Sequence, residues 1–124
     1  MKIKDHKKLI AWWLANELRK RVMAFTGRPP AARDFEFRDQ IRGASRSVCR
    51  NISEGFYRYK HKEFANFVSI AKGSLGETQD ALEDALQSGF VTREEFDEMW
   101  QLSKRCMAAV NGLHFYLRTT KEPD

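Results

Sequence analysis

The sequence predicts an all-α protein, folded as an antiparallel up-down-up-down four-helix bundle. Four long segments place apolar residues at three- and four-residue spacing, the period of an amphipathic helix. None of them shows the alternation of a β-strand, and the connections between them are short, which favours antiparallel neighbours. The 124 residues are 42% hydrophobic. We expect a single domain over residues 1–124, with helices at about 5–26, 34–57, 61–88 and 92–118.

Signals at the helix ends support the first two helices. Asp5 is the predicted N-cap of the first helix, Gly27 is the residue that ends it, and the second helix begins near Asp34. Each helix carries one apolar stripe that is predicted to face the core. The stripes comprise Ala11, Leu14, Ala15, Leu18, Val22 and Phe25 in the first helix, and Phe37, Ile41, Ala44, Val48 and Ile52 in the second.

The third and fourth helices are predicted in the same way. Gly89 follows the third helix, and Thr92 with Glu95 has the spacing of a capping box at the start of the fourth. Their stripes comprise Phe64, Phe67, Ala71, Leu75, Thr78, Leu82 and Ala85, and then Phe96, Met99, Ser103, Cys106, Val110, Leu113 and Leu117.

Some apolar residues of the first helix do not belong to its core stripe. At ~100° per residue they project toward the side where a bundle helix should meet water. We therefore predict a second buried contact, formed between copies of the chain. The predicted oligomer interface comprises Leu9, Trp12, Trp13 and Met23.

Positive charge is concentrated in the first half of the chain. Residues 1–62 carry 16 Lys and Arg against 6 Asp and Glu, whereas residues 63–124 carry 6 against 11. Arginines recur at every fourth position of the second helix, on a face that we expect only solvent or a partner to meet. Tyr57 and Tyr59 alternate with the next basic residues, a pattern suited to phosphate contact and base stacking. The predicted nucleic-acid-binding residues are Arg38, Arg42, Arg46, Arg50, Arg58, Lys60 and Lys62.

Two other interpretations of these arginines stay open. They could form a solvated helix face, partly neutralised by nearby carboxylates. They could also pair with the acidic third helix of a neighbouring subunit, because guanidinium groups suit bidentate carboxylate contacts.

Asn51, Glu54, Gly55 and Gly73 are interpreted as structural. We expect Asn51 and Glu54 to make polar contacts near the end of the second helix. Gly55 would let another backbone approach or let the helix end, and Gly73 would permit close helix packing. An amide and a carboxylate without a nucleophile, metal partner or cofactor loop do not indicate catalysis, so we predict no catalytic residues and no enzyme activity.

We also expect no cofactor, metal site or small-molecule substrate. His6, His61 and His114 share no ligand spacing, and Cys49 and Cys106 are predicted to be buried free thiols. The N-terminus is charged and no apolar run approaches the ~18 residues needed to span a bilayer, which predicts a cytoplasmic protein without a membrane partner.

Motifs across nearly the whole chain resemble a known family. The most specific are the run Asn51-Ile52-Ser53-Glu54-Gly55 and, eighteen residues later, Gly73-Ser74-Leu75. Further matching residues are Gln40-Ile41-Arg42, Ser47-Val48, Phe56, Glu63-Phe64, Phe67, Ile70-Ala71 and Glu77. The chain resembles the four-helix bundle proteins encoded in intervening sequences of bacterial large-subunit ribosomal RNA genes.

The resemblance implies a ring-like homo-oligomer, a pentamer, without known enzymatic activity. The family is also similar to the accessory variability proteins of diversity-generating retroelements, which are basic pentamers that bind a reverse transcriptase and nucleic acid. We therefore expect an oligomeric scaffold that presents a repeated basic surface to RNA or to a nucleoprotein such as a reverse transcriptase complex. The alternative is a purely structural protein–protein interaction oligomer that does not bind nucleic acid.

Overall fold

Four α-helices account for most of the fold. The computed structural model describes residues 3–121, with α1 at Ile10–Thr26, α2 at Phe35–Phe56, α3 at His61–Gln87 and α4 at Arg93–Thr119. Short 3-10 turns at His6–Lys8 and Ala31–Arg33 precede α1 and α2. Residues 3–121 contain no β-strand, which confirms the all-helical prediction. Residues 1, 2 and 122–124 of the predicted domain lie outside the described residues.

The helices pack side by side in chain order, and α4 closes the bundle against α1. The connections between helices have only four to eight residues, so helices that pack side by side must run antiparallel. Cross-helix contacts show this packing. The hydroxyls of Ser47 on α2 and Ser74 on α3 lie 2.7 Å apart, and Gln79 Nε2 on α3 donates to Ser103 Oγ on α4 at 3.1 Å. One end of the bundle therefore gathers the start of α1, the end of α2, the start of α3 and the end of α4.

The first helix begins later than predicted. Asp5 does cap a helical turn, accepting a hydrogen bond from Lys7 N at 3.0 Å, but that turn is the 3-10 segment. The backbone of Leu9 is extended (φ −72°, ψ 126°), and α1 starts at Ile10. Leu9 is only 6% exposed and belongs to the core. The prediction that Leu9 faces outward is wrong, because it assumed that residue 9 is part of the helix.

The other helix ends follow their local signals. Gly27 ends α1, and the Asp34 side chain accepts from Phe37 N at 3.1 Å at the start of α2. The capping box at the start of α4 is complete: Thr92 N donates to Glu95 Oε1 at 2.8 Å, and Glu95 N donates to Thr92 Oγ1 at 3.1 Å. These signals are local in sequence, which is why they could be identified without the fold.

The predicted apolar stripes meet in a single core, except that Phe67 of the α3 stripe is half-buried and lies outside it. Val22, Ile41, Leu75 and Val110 are fully buried, one from each helix. Each such side chain stabilises the fold by roughly 1.5–3 kcal/mol relative to an exposed position. Buried polar side chains are paired within the bundle, since no buried side-chain nitrogen or oxygen among the described residues lacks a hydrogen-bond partner.

Gly55 marks a close approach of α2 and α3. A Cβ atom at this position would lie 2.7 Å from Phe64 Cδ1 and 2.8 Å from Phe67 Cβ. This confirms the interpretation that Gly55 admits a neighbouring helix. Gly73 differs, because it is exposed and a Cβ atom added there would have no neighbouring atom within 4 Å. The prediction that Gly73 permits close packing within the bundle is wrong.

Asn51 and Glu54 make local polar contacts near the end of α2, as predicted. Asn51 Nδ2 donates to the Ser47 carbonyl oxygen at 2.8 Å and lies 3.0 Å from Ser47 Oγ. Arg58 Nη2 donates to Glu54 Oε1 at 2.8 Å. Both contacts stay within one helix and its cap, so they support the structural interpretation.

Candidate nucleic-acid interface

Arg42 is held by the preceding helix. Its Nε donates to Thr26 Oγ1 at 2.7 Å, and its Nη2 donates to the Met23 carbonyl oxygen at 3.3 Å. These acceptors lie in the last turn of α1, where carbonyl groups lack helical partners and a cation is favoured. The expectation that only solvent or a partner meets this arginine is wrong. Arg42 is a bridge between α1 and α2.

Arg38 also has partners within the chain. Its Nε donates to Asp39 Oδ1 at 3.0 Å, its Nη1 reaches the Ala32 carbonyl oxygen at 3.5 Å, and its guanidinium carbon lies 4.9 Å from the Phe35 ring centroid. Arg46 and Arg50 are exposed. The row of four arginines therefore divides into two that stabilise the α1–α2 region and two that face solvent.

The antiparallel fold gathers basic segments at one end of the bundle. Residues 3–8, 54–63 and 118–121 form this basic end and contain eight Lys and Arg against three carboxylates. Residues 26–36 and 83–98 form the opposite, acidic end and contain three Lys and Arg against eight carboxylates. The bundle is therefore polarised along its axis, and its basic end presents a positive potential to approaching anions.

Two tyrosines are exposed at the basic end. Tyr57 is 63% exposed and Tyr59 is 64% exposed. The Tyr57 hydroxyl lies 2.9 Å from His6 Nδ1, and the two rings meet edge to face with centroids 5.5 Å apart. The His6 ring also meets Trp12, with a centroid distance of 4.9 Å. The segment before α1 is thus fastened to the α2–α3 connection, and it holds the Tyr57 ring in place.

Arg58, Lys60 and Lys62, which the sequence analysis assigned to the nucleic-acid-binding set, lie at this same end of the bundle. Arg58 pairs with Glu54 and lies 5.0 Å from the centroid of the Phe67 ring. Its side chain is nevertheless 44% exposed, and Lys60 and Lys62 are exposed. These three cations border the two tyrosines and can reach a ligand from solvent.

Two open grooves lie at the basic end and share His61. The first, of about 290 Å³, is lined by Tyr57, Arg58 and Tyr59 among others. The second, of about 660 Å³, lies between the start of α3 and the end of α4. His61 joins these two helices, since its Nδ1 donates to the Thr120 carbonyl oxygen at 3.1 Å.

The contribution of α4 to the second groove was missed from the sequence. His114, Arg118 and Lys121 line it, although they belong to the half of the chain with negative net charge. The topology itself was the available signal, because an antiparallel α4 must end beside the start of α3. Partial burial lowers the pKa of His114 below its ordinary value near 6.5, and the charges of Arg118 and Lys72 lower it further.

The comparisons with known proteins give the family and the fold. Residues 7–112 match the 23S rRNA-intervening sequence protein family. The chain belongs to this family. It is similar to the crystal structure of a protein of unknown function from the S23 ribosomal protein family of Bacteroides thetaiotaomicron, with a TM-score of 0.77 and 20% identity over 85% of this chain and 98% of that chain. At this identity the likeness establishes the fold alone. No match was found among curated proteins.

The remaining residues of the predicted oligomer interface differ in exposure. Trp12 is half-buried beside His6, and Met23 is half-buried with its Sδ 3.8 Å from Arg46 Nη2. Trp13 is 47% exposed, and Ile10, one turn earlier, is 62% exposed. Residues three positions apart share a helix face, so Ile10 and Trp13 form an apolar patch of which the sequence analysis identified only the tryptophan.

Other kinds of site have little support in residues 3–121. Within this range no group of three or more His, Cys, Asp or Glu could hold a metal ion, and no helix is long and apolar enough to cross a membrane. Cys49 and Cys106 are buried free thiols, as predicted. Burial raises the pKa of Cys49 to about 11 and that of Cys106 to about 12.

Proposed function

We propose that this protein is a non-enzymatic scaffold that binds RNA at the basic end of its bundle. The observation that carries the proposal is the polarity of the bundle, whose cation-rich end also exposes two tyrosines. Clustered cations attract a polyanion over a distance, and the acidic end would orient the bundle during approach.

Arg58, Lys60 and Lys62 are the proposed phosphate contacts, extended along α2 by Arg50 and Arg46. Arg38 and Arg42 are not part of the proposed site, because both are half-buried and bond to groups between α1 and α2. Arg46, Arg50 and Arg58 are exposed. Replacing only the exposed cations therefore tests RNA binding without removing the contacts that Arg38 and Arg42 make between α1 and α2.

A charge-reversal pair tests the proposal. Lys60→Glu with Lys62→Glu should weaken binding of a fluorescein-labelled RNA about tenfold or more, because several phosphate contacts become repulsive. The matched control is Lys104→Glu with Arg105→Glu, two exposed cations in the middle of α4, which should change binding less than threefold. Fluorescence anisotropy across a salt series should show log K falling linearly with log salt. Absent or salt-independent binding would contradict the proposal.

A second proposal concerns self-association and is favoured by the exposed patch of Ile10 and Trp13. We propose that copies of the chain bury this patch, with a ring of five as the arrangement that the resemblance implies. Repeating the basic end around a ring would add many weak contacts to one RNA or to a reverse transcriptase complex. If RNA binding fails and assembly persists, the purely structural oligomer is the better description.

Light scattering after gel filtration tests the assembly. The parent chain should elute as an oligomer, and Trp13→Ser should shift it toward a single subunit. Trp100→Phe is the control, because Trp100 is half-buried and packs against Phe96 inside the bundle. A parent chain that elutes as a single subunit would contradict the second proposal and leave the RNA proposal standing.

A further inference from the structure

The groove between α3 and α4 has the chemistry of an anion site. Lys62 and Asn66 line it from α3, His114 and Arg118 line it from α4, and Lys121 lies just beyond. Among residues 3–121, no carboxylate lines it. Its volume of about 660 Å³ is within the range of sites that hold small organic ligands, roughly 300–1,000 Å³.

The charges that act on His114 agree with a positive potential in the groove. Arg118 and Lys72 both act against protonation of the imidazole, in addition to its partial burial. His61, Lys62 and Lys121 are the other titratable groups of the groove. An anion in the groove would reverse the balance and favour imidazolium, as phosphate contacts commonly do.

The neighbouring groove supplies surfaces for bases. Tyr57 and Tyr59 line it together with Lys4 and Arg58, and His61 forms part of both grooves. Stacking on aromatic rings requires bases that are not already paired in a duplex. A phosphate groove and a stacking surface that meet at one residue fit a single strand better than a double helix or a free phosphate.

We infer that the two grooves form one site for single-stranded RNA, with the backbone phosphates between α3 and α4 and the bases against Tyr57 and Tyr59. This inference rests on the proposed function and specifies its ligand. It adds Asn66, His114, Arg118 and Lys121 to the binding surface.

Two probes test the choice of strand. A labelled 12-nucleotide single strand of mixed sequence should bind at least tenfold more tightly than the 12-base-pair duplex of the same sequence at equal salt. Replacing both tyrosines by leucine should weaken single-strand binding about tenfold or more, because two base–aromatic stacks are lost together. Duplex binding should change less than threefold. Equal affinity for strand and duplex would overturn the inference while leaving the proposed function intact.

Two substitutions that remove positive charge test whether the groove between α3 and α4 binds the phosphates. Arg118→Gln with Lys121→Gln should weaken single-strand binding about tenfold. The control, Lys104→Gln with Arg105→Gln, removes one lysine and one arginine from the middle of α4, outside the groove, and should change binding less than threefold. Equal effects of the two pairs would show that net charge, and not the groove, determines binding.

NMR on the parent protein provides a readout that requires no variant. Saturating single-stranded RNA should raise the pKa of His114, followed through its imidazole proton shifts, whereas the 12-base-pair duplex should raise it less. An unchanged His114 titration with the strand bound would place the strand elsewhere and overturn the inference. Absence of binding by both RNAs would instead defeat the proposed function itself, and this inference with it.

Discussion

Arg42 Nε donates a 2.7 Å hydrogen bond to Thr26 Oγ1 and so joins the start of α2 to the end of α1. We predict that Arg42→Ala lowers the free energy of unfolding by about 1–2 kcal/mol, because a charge-assisted bond and the contact to the Met23 carbonyl are both lost. Urea unfolding followed by circular dichroism measures this change.

Arg50→Ala is the control for that prediction. Arg50 lies two turns further along α2 and is exposed, so its replacement should change the free energy of unfolding by less than about 0.5 kcal/mol. Equal losses in the two variants would mean that the bridge contributes nothing beyond ordinary helix propensity.

Two glycines, Gly55 in the last turn of α2 and Gly73 in the middle of α3, should respond oppositely to alanine. Gly55→Ala should lower the free energy of unfolding by about 1–3 kcal/mol, because the new methyl group would overlap Phe64 and Phe67. Gly73→Ala should raise it by about 0.5–1 kcal/mol, because alanine favours the helix and meets open space. Thermal and urea unfolding would show whether the free energy of unfolding of each variant lies below or above that of the parent.

A destabilising effect of Gly73→Ala would be informative. No side chain or other helix lies within 4 Å of the added methyl group, so a neighbouring copy packed on α3 is one source of such a loss. Repeating the measurement at several protein concentrations would separate that case from a local effect, because stabilisation by association depends on concentration.

The sequence predicted those features that depend on local pattern. Helix periodicity identified the core, and Gly27, Asp34 and the Thr92–Glu95 pair identified helix ends. Leu9 was misplaced because one extended residue interrupts the helical register. The same limit applies to Arg42, whose position on the helical wheel could not show that the end of α1 accepts its hydrogen bonds.

The candidate site was predicted only where its residues are contiguous. Arg58, Lys60 and Lys62 follow one another closely and lie together in the fold, whereas Arg118 and Lys121 join them through tertiary structure alone. Likewise, the division of charge between the two halves of the sequence did not reveal the polarity along the bundle axis. Each end of the bundle combines segments from both halves, so this polarity depends on the antiparallel topology.

Glu95 should make part of the stability depend on acid pH. The hydrogen bond from Thr92 N and the contact with Arg28 hold the pKa of its carboxyl below the ordinary value of 4.5. A lowered pKa in the folded state means that this contribution is complete above pH 4.5 and is lost as the pH falls through the lowered pKa. Glu95→Gln should therefore be less stable than the parent at pH 6, and the difference should shrink by pH 3.

Glu94→Gln is the matched control for this pH dependence. Glu94 occupies the same first turn of α4 and is exposed, so its variant shares the change in net charge and most of the helix-dipole effect. Urea unfolding at pH 3 and pH 6 should show a smaller pH-dependent difference for Glu94→Gln than for Glu95→Gln. Matching pH profiles would assign the effect to the helix dipole and not to the capping box.

The two buried cysteines should be unreactive in the native protein. Cys106 is fully buried and Cys49 nearly so, and burial raises the pKa of both thiols. Since the thiolate is the reactive form, Ellman's reagent at pH 8 should modify neither at an appreciable rate, and unfolding in guanidinium should release two thiols per chain. Where slow native reaction occurs, mass spectrometry should find Cys49 modified before Cys106. Rapid native modification of Cys106 would mean that the bundle opens far more readily than its core packing implies.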